Sequence, residues 1–138
     1  MSTNGKVDKM KGIEILLLAL GGVIGTFLRY LITESPAVFG GLQVNVIIVN
    51  MVGSFVLGVF FILTQQWHLD GKYALLVAVG FCGSLTTMSA FAFQSAALID
   101  NKQFGLLAID ILANVGLSIG AIFAGRSIAD LVIGARIT

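Results

Sequence analysis

The residues of this chain with the clearest chemical potential lie at positions 80–91, in the sequence Gly-Phe-Cys-Gly-Ser-Leu-Thr-Thr-Met-Ser-Ala-Phe. Two glycines and four hydroxyl side chains interrupt an apolar segment that is long enough to cross a bilayer. In hydrocarbon, irregular polar backbone survives only where protein buries it or where it lines a water-filled path. The stretch predicts a helix break near Gly83 and a candidate site for a small solute or ion. Close packing of neighbouring helices remains the alternative explanation for these small residues.

Polar residues recur at helical spacing in two other apolar segments. Asn50 and Ser54 are four residues apart, so they share one face of a helix. Asp110, Asn114 and Ser118 form a longer stripe of the same kind. An amide in the membrane needs a hydrogen-bond partner, which is either another helix or a bound anion. We interpret the longer stripe as the wall of a wet path, with Asp110 near an entrance because a carboxylate repels anions.

Three further side chains could attract an anion or contact it. Arg29 is either an anchor that reaches the lipid headgroups or a positive charge at a vestibule. The edge of the Phe91 ring carries partial positive charge and could face an anion that has shed water. Met88 is three residues earlier and shares the face of Phe91.

The composition excludes most other classes of protein. The chain has 138 residues, of which 57% are hydrophobic and 11% charged, and its mean hydropathy is +1.01. Soluble domains carry about 25% charged residues. The net charge of +1 gives no basis for binding nucleic acid. No enzyme is predicted, because the single histidine, His68, lies in a loop and Cys82 has no base beside it.

These residues must be positioned by membrane helices, each of which needs about 20 apolar residues. The sequence predicts one transmembrane domain, 1–138, with an all-α fold and spans at about 13–32, 42–63, 72–99 and 104–124. The first apolar run is too long for the core of a signal peptide, so we expect it to be a retained span. The third is too long for one straight crossing, which fits a break into two half-helices.

The charged residues are distributed unequally between the two predicted sides. The side of the termini has six cations, Lys6, Lys9, Lys11, Lys72, Arg126 and Arg136, and the other side has Arg29 and Lys102. This asymmetry places the termini in the cytoplasm. Four helices enclose little space, so we expect an oligomer.

Three motifs in order resemble the Fluc (CrcB) family of fluoride channels, and the similarity covers nearly the whole chain. The motifs are Gly-Gly-Val-Ile-Gly-Thr-Phe-Leu-Arg-Tyr at 21–30, Asn-Met-Val-Gly-Ser-Phe-Val-Leu-Gly at 50–58, and the segment 80–91. The resemblance implies a passive fluoride-selective channel in the bacterial plasma (inner) membrane. It also implies an antiparallel, dual-topology homodimer with two pores.

The resemblance further assigns roles to individual residues. It implies a fluoride pathway along Asn50, Thr87, Met88, Ser89, Phe91, Asn114 and Ser118, with Arg29 at the vestibule. It implies a structural sodium ion at the dimer centre, held by the backbone carbonyls of Gly83 and Thr86. Met88 stands where the family has an aromatic residue, and Gln94 stands where many members have glutamate.

Two other functions remain open at this stage. A small multidrug-type exporter driven by protons would need a carboxylate in the middle of its first span, whereas Glu14 lies at the edge. The chain could also be one non-conducting half of a heterodimeric channel, paired with a homologous chain, because the unequal charges favour one orientation.

Overall fold

The computed structural model describes residues 10–137, with side chains up to residue 134. The first elements are α1 (Gly12–Glu34), β1 (Val38–Phe39), β2 (Leu42–Gln43) and α2 (Asn45–Trp67). The next are α3 (residues 71–85), α4 (Met88–Asp100) and α5 (Phe104–Ile137). Four helical segments, one of them formed by α3 and α4, are long and apolar enough to cross a membrane. The predicted all-α fold with four crossings is confirmed.

The third crossing is interrupted within the predicted stretch 80–91, a few residues after Gly83. Thr86 (φ −73°, ψ 154°) and Thr87 (φ −149°, ψ 112°) are extended and separate α3 from α4. Gly83, where the break was expected, is helical (φ −64°, ψ −29°). Within α3, residues Leu75–Cys82 form a π-helix, a rare form that is often found at functional sites. The break is therefore built from two threonines rather than from a glycine.

Helices approach at backbone distance where glycines face a neighbour. A Cβ atom on Gly21 or Gly25 of α1 would overlap backbone atoms of α3. A Cβ atom on Gly58 of α2 or Gly125 of α5 would overlap the backbone of the opposite helix. Gly21 and Gly25 therefore form a close-packing face on α1. The helices therefore pack as two close pairs, α1 with α3 and α2 with α5.

The connection from α1 to α2 contains a small hairpin that the sequence analysis missed. Val38 pairs with Gln43 and Phe39 with Leu42, and the turn between them uses Gly40 and Gly41 at positive φ. Such a turn favours glycine because side chains are strained there. The second helix therefore begins at Asn45, three residues after the predicted start at 42.

Asn45 ties the two ends of this connection together. Its amide donates to the carbonyl oxygens of Ile32, Thr33 and Ser35, and its Oδ1 accepts from the Ala37 N–H. The side chain is buried. Asn45 therefore has a structural role at the end of the bundle where Arg29 lies.

The last helix is longer than predicted. It continues from Phe104 to Ile137 instead of ending near Ala124, because Gly125 packs against α2 within a continuous helix. Lys6 and Lys9, which contribute to the predicted charge asymmetry, lie outside the described residues, as does the side chain of Arg136.

Candidate ion pathway at the helix break

The Asn50 side chain on α2 contacts the Thr87 backbone at the break in the third crossing. Its Oδ1 accepts a hydrogen bond from the Thr87 N–H at 2.8 Å, and its Nδ2 lies 3.5 Å from the Thr87 carbonyl oxygen. In a continuous helix the Thr87 N–H would have bonded to the carbonyl of Gly83. One side-chain amide thus replaces the helical partner of the unwound residue.

The Asn50 amide belongs to a longer chain of polar side chains. Its Nδ2 donates to Asn114 Oδ1 at 3.0 Å, and Asn114 Nδ2 donates to Asp110 Oδ1 at 2.9 Å. Gln94 Nε2 donates to the same Asp110 oxygen at 3.3 Å and to the Gln43 carbonyl at 3.0 Å. The network joins the break to the hairpin and includes α2, α4 and α5. It also fixes which way each amide faces, since every donor has its acceptor assigned.

Asp110 lies in the interior of this network. Its side chain is 0% exposed, so the expectation that it lies near an entrance is wrong. Two amides donate to its Oδ1, because α4 and α5 pack their polar faces together. Its Oδ2, Gln94 Oε1 and Ser95 Oγ are buried and have no hydrogen-bond partner among the described residues. If a substitution replaced Oδ2 by a hydrogen-bond donor, Gln94 Oε1 and Ser95 Oγ would be available as acceptors.

Two polar cavities meet at the Asn50–Thr87 contact. The first, which we call the Arg29 cavity, has a volume of about 480 Å³ and is lined by Arg29, Thr87, Ser89 and others. The second, the Asn50 cavity, has a volume of about 290 Å³, and its polar lining is Asn50, Ser54, Cys82, Thr86 and Ser118. Thr87 lines the first cavity and Asn50 lines the second. The hydrogen bonds between these two residues therefore form the wall that separates the cavities.

The two half-helix ends at the break have opposite polarity. At the start of α4, Thr87 Oγ1 accepts from the Ala90 N–H at 3.1 Å and lies 3.2 Å from the Ser89 hydroxyl. The remaining N–H groups of a helix N-terminus favour an anion. The end of α3 presents carbonyl groups, which favour a cation. The break can accommodate one ion of each sign.

The carbonyls of Gly83 and Thr86 are suitable ligands for a hard cation. Among the described residues, the Gly83 carbonyl has no backbone partner at Thr87, whose N–H bonds to Asn50. The Thr86 carbonyl has left the helix and lies 3.5 Å from Arg29 Nη1, at the outer limit of hydrogen bonding. Hard cations prefer such oxygen ligands. The donor set therefore fits the implied sodium ion.

The resemblance places the Met88 and Phe91 side chains beside the fluoride pathway. Met88 is 74% exposed and Phe91 is half-buried, and neither is among the residues that line the two cavities. Phe93, which the sequence analysis did not select, is 80% exposed and lines the Arg29 cavity. Met88 and Phe93 are thus two large apolar side chains of α4 that a single chain leaves exposed.

The sequence analysis also missed the role of Gln94 in the network. Gln94 is seven residues after Thr87, which places both on one face of α4, and this spacing could have indicated its role.

The chain is similar to known membrane proteins over most of its length. A family model described as "CrcB-like protein, Camphor Resistance (CrcB)" matches residues 16–126. A protein of Nitrosopumilus maritimus named "Fluoride-specific ion channel FluC" is 58% identical over 124 residues, which cover 90% of this chain and 98% of the relative.

Two more distant relatives have the same name. The protein from Sulfurihydrogenibium sp. is 40% identical, covering 86% of this chain and 98% of the relative. The protein from Methanococcus maripaludis is 36% identical, covering 82% and 93%. Because the Nitrosopumilus relative is archaeal, the similarity does not indicate a bacterial membrane in particular.

Proposed function

The chain belongs to the CrcB family, and we propose from this membership that it is a fluoride-specific ion channel built around its interrupted third crossing. The observation that carries the proposal is the Asn50–Thr87 contact, which separates two polar cavities in the middle of a membrane bundle. Hydrocarbon does not tolerate such irregular backbone unless it is buried in protein or lines a path. The relatives named as fluoride channels support the choice of ion.

Fluoride enters the Arg29 cavity, where the guanidinium raises the local concentration of anions. It then meets the Thr87 and Ser89 hydroxyls and the start of α4, which replace water as hydrogen-bond donors. To proceed, it passes the Asn50–Thr87 contact into the Asn50 cavity, which contains Ser118. Asn114 lies behind Asn50 and sets the direction of its amide.

Selectivity for fluoride follows from small, hard donors at a narrow contact. Fluoride holds its water strongly, so each donor on the protein must compensate for a lost water. A larger anion gains less from each donor and needs more room. We assign Phe91 and Met88 a role at the outer side of this path, where the ring edge of Phe91 supports an anion. Flux is passive and follows the fluoride gradient.

We propose that sodium is held by the Gly83 and Thr86 carbonyls at the end of α3. When bound, it supplies positive charge to a helix end whose own carbonyls are negative. The residues of this chain provide the oxygen ligands, and Asn50 leaves the Gly83 carbonyl free by taking its helical partner.

The functional unit is proposed to be an antiparallel dimer in the plasma membrane. A second copy would cover the exposed Met88 and Phe93 side chains of α4. It would also cover a shallow cavity of about 720 Å³ on α1, which Gly22, Thr26 and Ser84 help to line. The homologous partner of a heterodimer is the alternative, because an antiparallel homodimer requires insertion in both orientations.

Growth of a fluoride-sensitive host distinguishes the channel from a multidrug-type exporter. We expect the chain to restore growth in fluoride and to give no resistance to toxic cations. The carboxylate of Glu14 caps the first turn of α1, accepting from the Lys11 N–H at 2.8 Å, and so does not lie at mid-span. Resistance to toxic cations without resistance to fluoride would contradict the proposal.

Asp110 supplies a test of the network behind the path. Asp110→Asn keeps an acceptor for Asn114 and adds a donor for Ser95 or Gln94 Oε1, so we expect fluoride efflux within about threefold of wild type. Asp110→Leu removes the carboxylate acceptor that the Asn114 and Gln94 amides share, although each amide keeps a carbonyl acceptor, and this costs about 1 kcal/mol for each lost hydrogen bond. We expect its efflux to fall at least about tenfold, measured with a fluoride electrode on proteoliposomes.

The comparison of these two variants separates hydrogen bonding from charge at this position. If Asp110→Asn were as impaired as Asp110→Leu, the negative charge itself would be required and the interpretation of the network would be wrong.

A further inference from the structure

A fourth cavity lies at the opposite end of the bundle from Arg29. It has a volume of about 460 Å³, and its polar lining consists of Thr64 and Gln65 of α2 and Arg126 of α5. Its other walls are apolar. We call it the Arg126 cavity. It shares Leu57 and Ala78 with the Asn50 cavity, so the two adjoin.

Arg126 lies two turns after Ser118 on α5 and about 80° further around the helix. Ile122, one turn before Arg126, lines the same cavity. The cation therefore stands beyond the buried network, on a different side of the helix from Asp110.

The Arg126 guanidinium is held by two aromatic rings rather than by a carboxylate. It lies 4.6 Å from the centroid of Phe61 and 5.7 Å from that of Phe123. Among the residues with described side chains it has no ion pair and no hydrogen bond, although Asp130 is one turn further along. Stacking uses the face of a guanidinium and leaves the N–H groups at its edge free. These donors are available to an anion.

We propose that the Arg126 cavity is a second docking site for a small anion, at the mouth opposite to Arg29. This inference rests on the proposed function and identifies the anion as fluoride. The donors are the Arg126 guanidinium and the Gln65 amide. The Thr64 hydroxyl donates to the Phe60 carbonyl at 2.9 Å, so it does not donate to the anion. A cation at each mouth would raise the local fluoride concentration from either side.

The test is the fluoride concentration that gives half-maximal efflux from proteoliposomes. Arg126→Gln removes the charge, and we expect this concentration to rise about threefold to tenfold at low ionic strength. The effect should shrink at 1 M inert salt, where the screening length is about 3 Å. Arg126→Lys keeps the charge and should stay within about twofold of wild type.

A matched control removes a cation at the same end of the bundle. Lys72 is exposed, pairs with Asp70 at 3.9 Å and lies outside the Arg126 cavity, so Lys72→Gln should leave the half-maximal concentration unchanged. If loss of ring packing unfolds Arg126→Gln, Gln65→Glu places a negative charge in the same cavity and leaves Arg126 on its rings. We expect Gln65→Glu to raise the half-maximal concentration as well.

The possible failures can be told apart. An unchanged half-maximal concentration in folded Arg126→Gln, or in Gln65→Glu, would overturn the second site while wild-type flux supported the channel. An equal rise in Lys72→Gln would also overturn it, because the effect would then be one of general surface charge. Absence of wild-type fluoride flux would instead contradict the proposed function.

Discussion

Fluoride efflux should fall at least about 100-fold when Asn50 is replaced by aspartate. Asn50→Asp keeps the acceptor for the Thr87 N–H but loses the donor to Asn114, so a carboxylate would face the Asn114 oxygen. A fluoride ion 4 Å from that carboxylate would in addition be repelled by about 4 kcal/mol at an effective dielectric constant of 20. Since each 1.4 kcal/mol is a factor of ten in rate, a 100-fold loss is a conservative expectation. The measurement is efflux from fluoride-loaded proteoliposomes.

Asn101→Asp is the matched control for this change. Asn101 is exposed at the end of α4, so the same gain of charge there should leave efflux within about twofold of wild type. Both variants must elute as wild type does on gel filtration. If folded Asn50→Asp conducted within threefold of wild type, fluoride would not cross at the Asn50–Thr87 contact.

Replacement of Gly25 by alanine should abolish stable assembly of the bundle. A Cβ atom there would overlap the Phe81 carbonyl oxygen and lie 3.1 Å from the Leu85 nitrogen, and backbone atoms cannot rotate away. Helices α1 and α3 would have to separate, at about 3 kcal/mol or more. We expect loss of monodisperse protein in detergent, or a large drop in the midpoint of thermal unfolding.

A glycine-to-alanine substitution at Gly120 should not lower the stability of the bundle. A Cβ atom on Gly120 of α5 meets nothing within 4 Å, so Gly120→Ala should be neutral or stabilise the helix by about 0.5–1 kcal/mol. If Gly25→Ala were as stable as Gly120→Ala, the close approach of α1 and α3 would be wrong.

The sequence could predict that the third crossing is interrupted near Gly83, but not that Thr86 and Thr87 are the residues that leave the helix. Its polar residues at 80–91 are unusual in hydrocarbon, and that pattern is local. The position of the break depends on Asn50, which is 37 residues away in the chain and takes the Thr87 N–H. Gly83 could be helical or unwound on local grounds alone. The long-range hydrogen bond decides between these states.

The candidate site shows the same division between local pattern and long-range packing. Asn50, Asn114 and Asp110 could be selected because polar groups are costly in a membrane. Their pairing could not, since it depends on the rotation of α5 against α2 and α4. Asp110 was expected near an entrance because a carboxylate repels anions, but packing of α5 against its neighbours buries it. The hairpin was missed because two strands of two residues have no periodic signal.

The Asn50–Thr87 contact bears on how the channel excludes other ions. Thr87 lines the Arg29 cavity, Asn50 lines the Asn50 cavity, and hydrogen bonds join the two residues. An anion that accepts strong hydrogen bonds can replace these bonds as it passes. An anion that accepts only weak ones would leave the amide and the Thr87 N–H unpaired, and an unpaired buried polar group is costly.

The most direct test of the central claim compares fluoride and chloride efflux from liposomes that contain this chain alone. The account predicts rapid loss of fluoride, retention of chloride, and loss of the fluoride flux in Asn50→Asp. Retention of fluoride by liposomes that contain folded wild-type chain would contradict it, and so would chloride efflux as fast as that of fluoride.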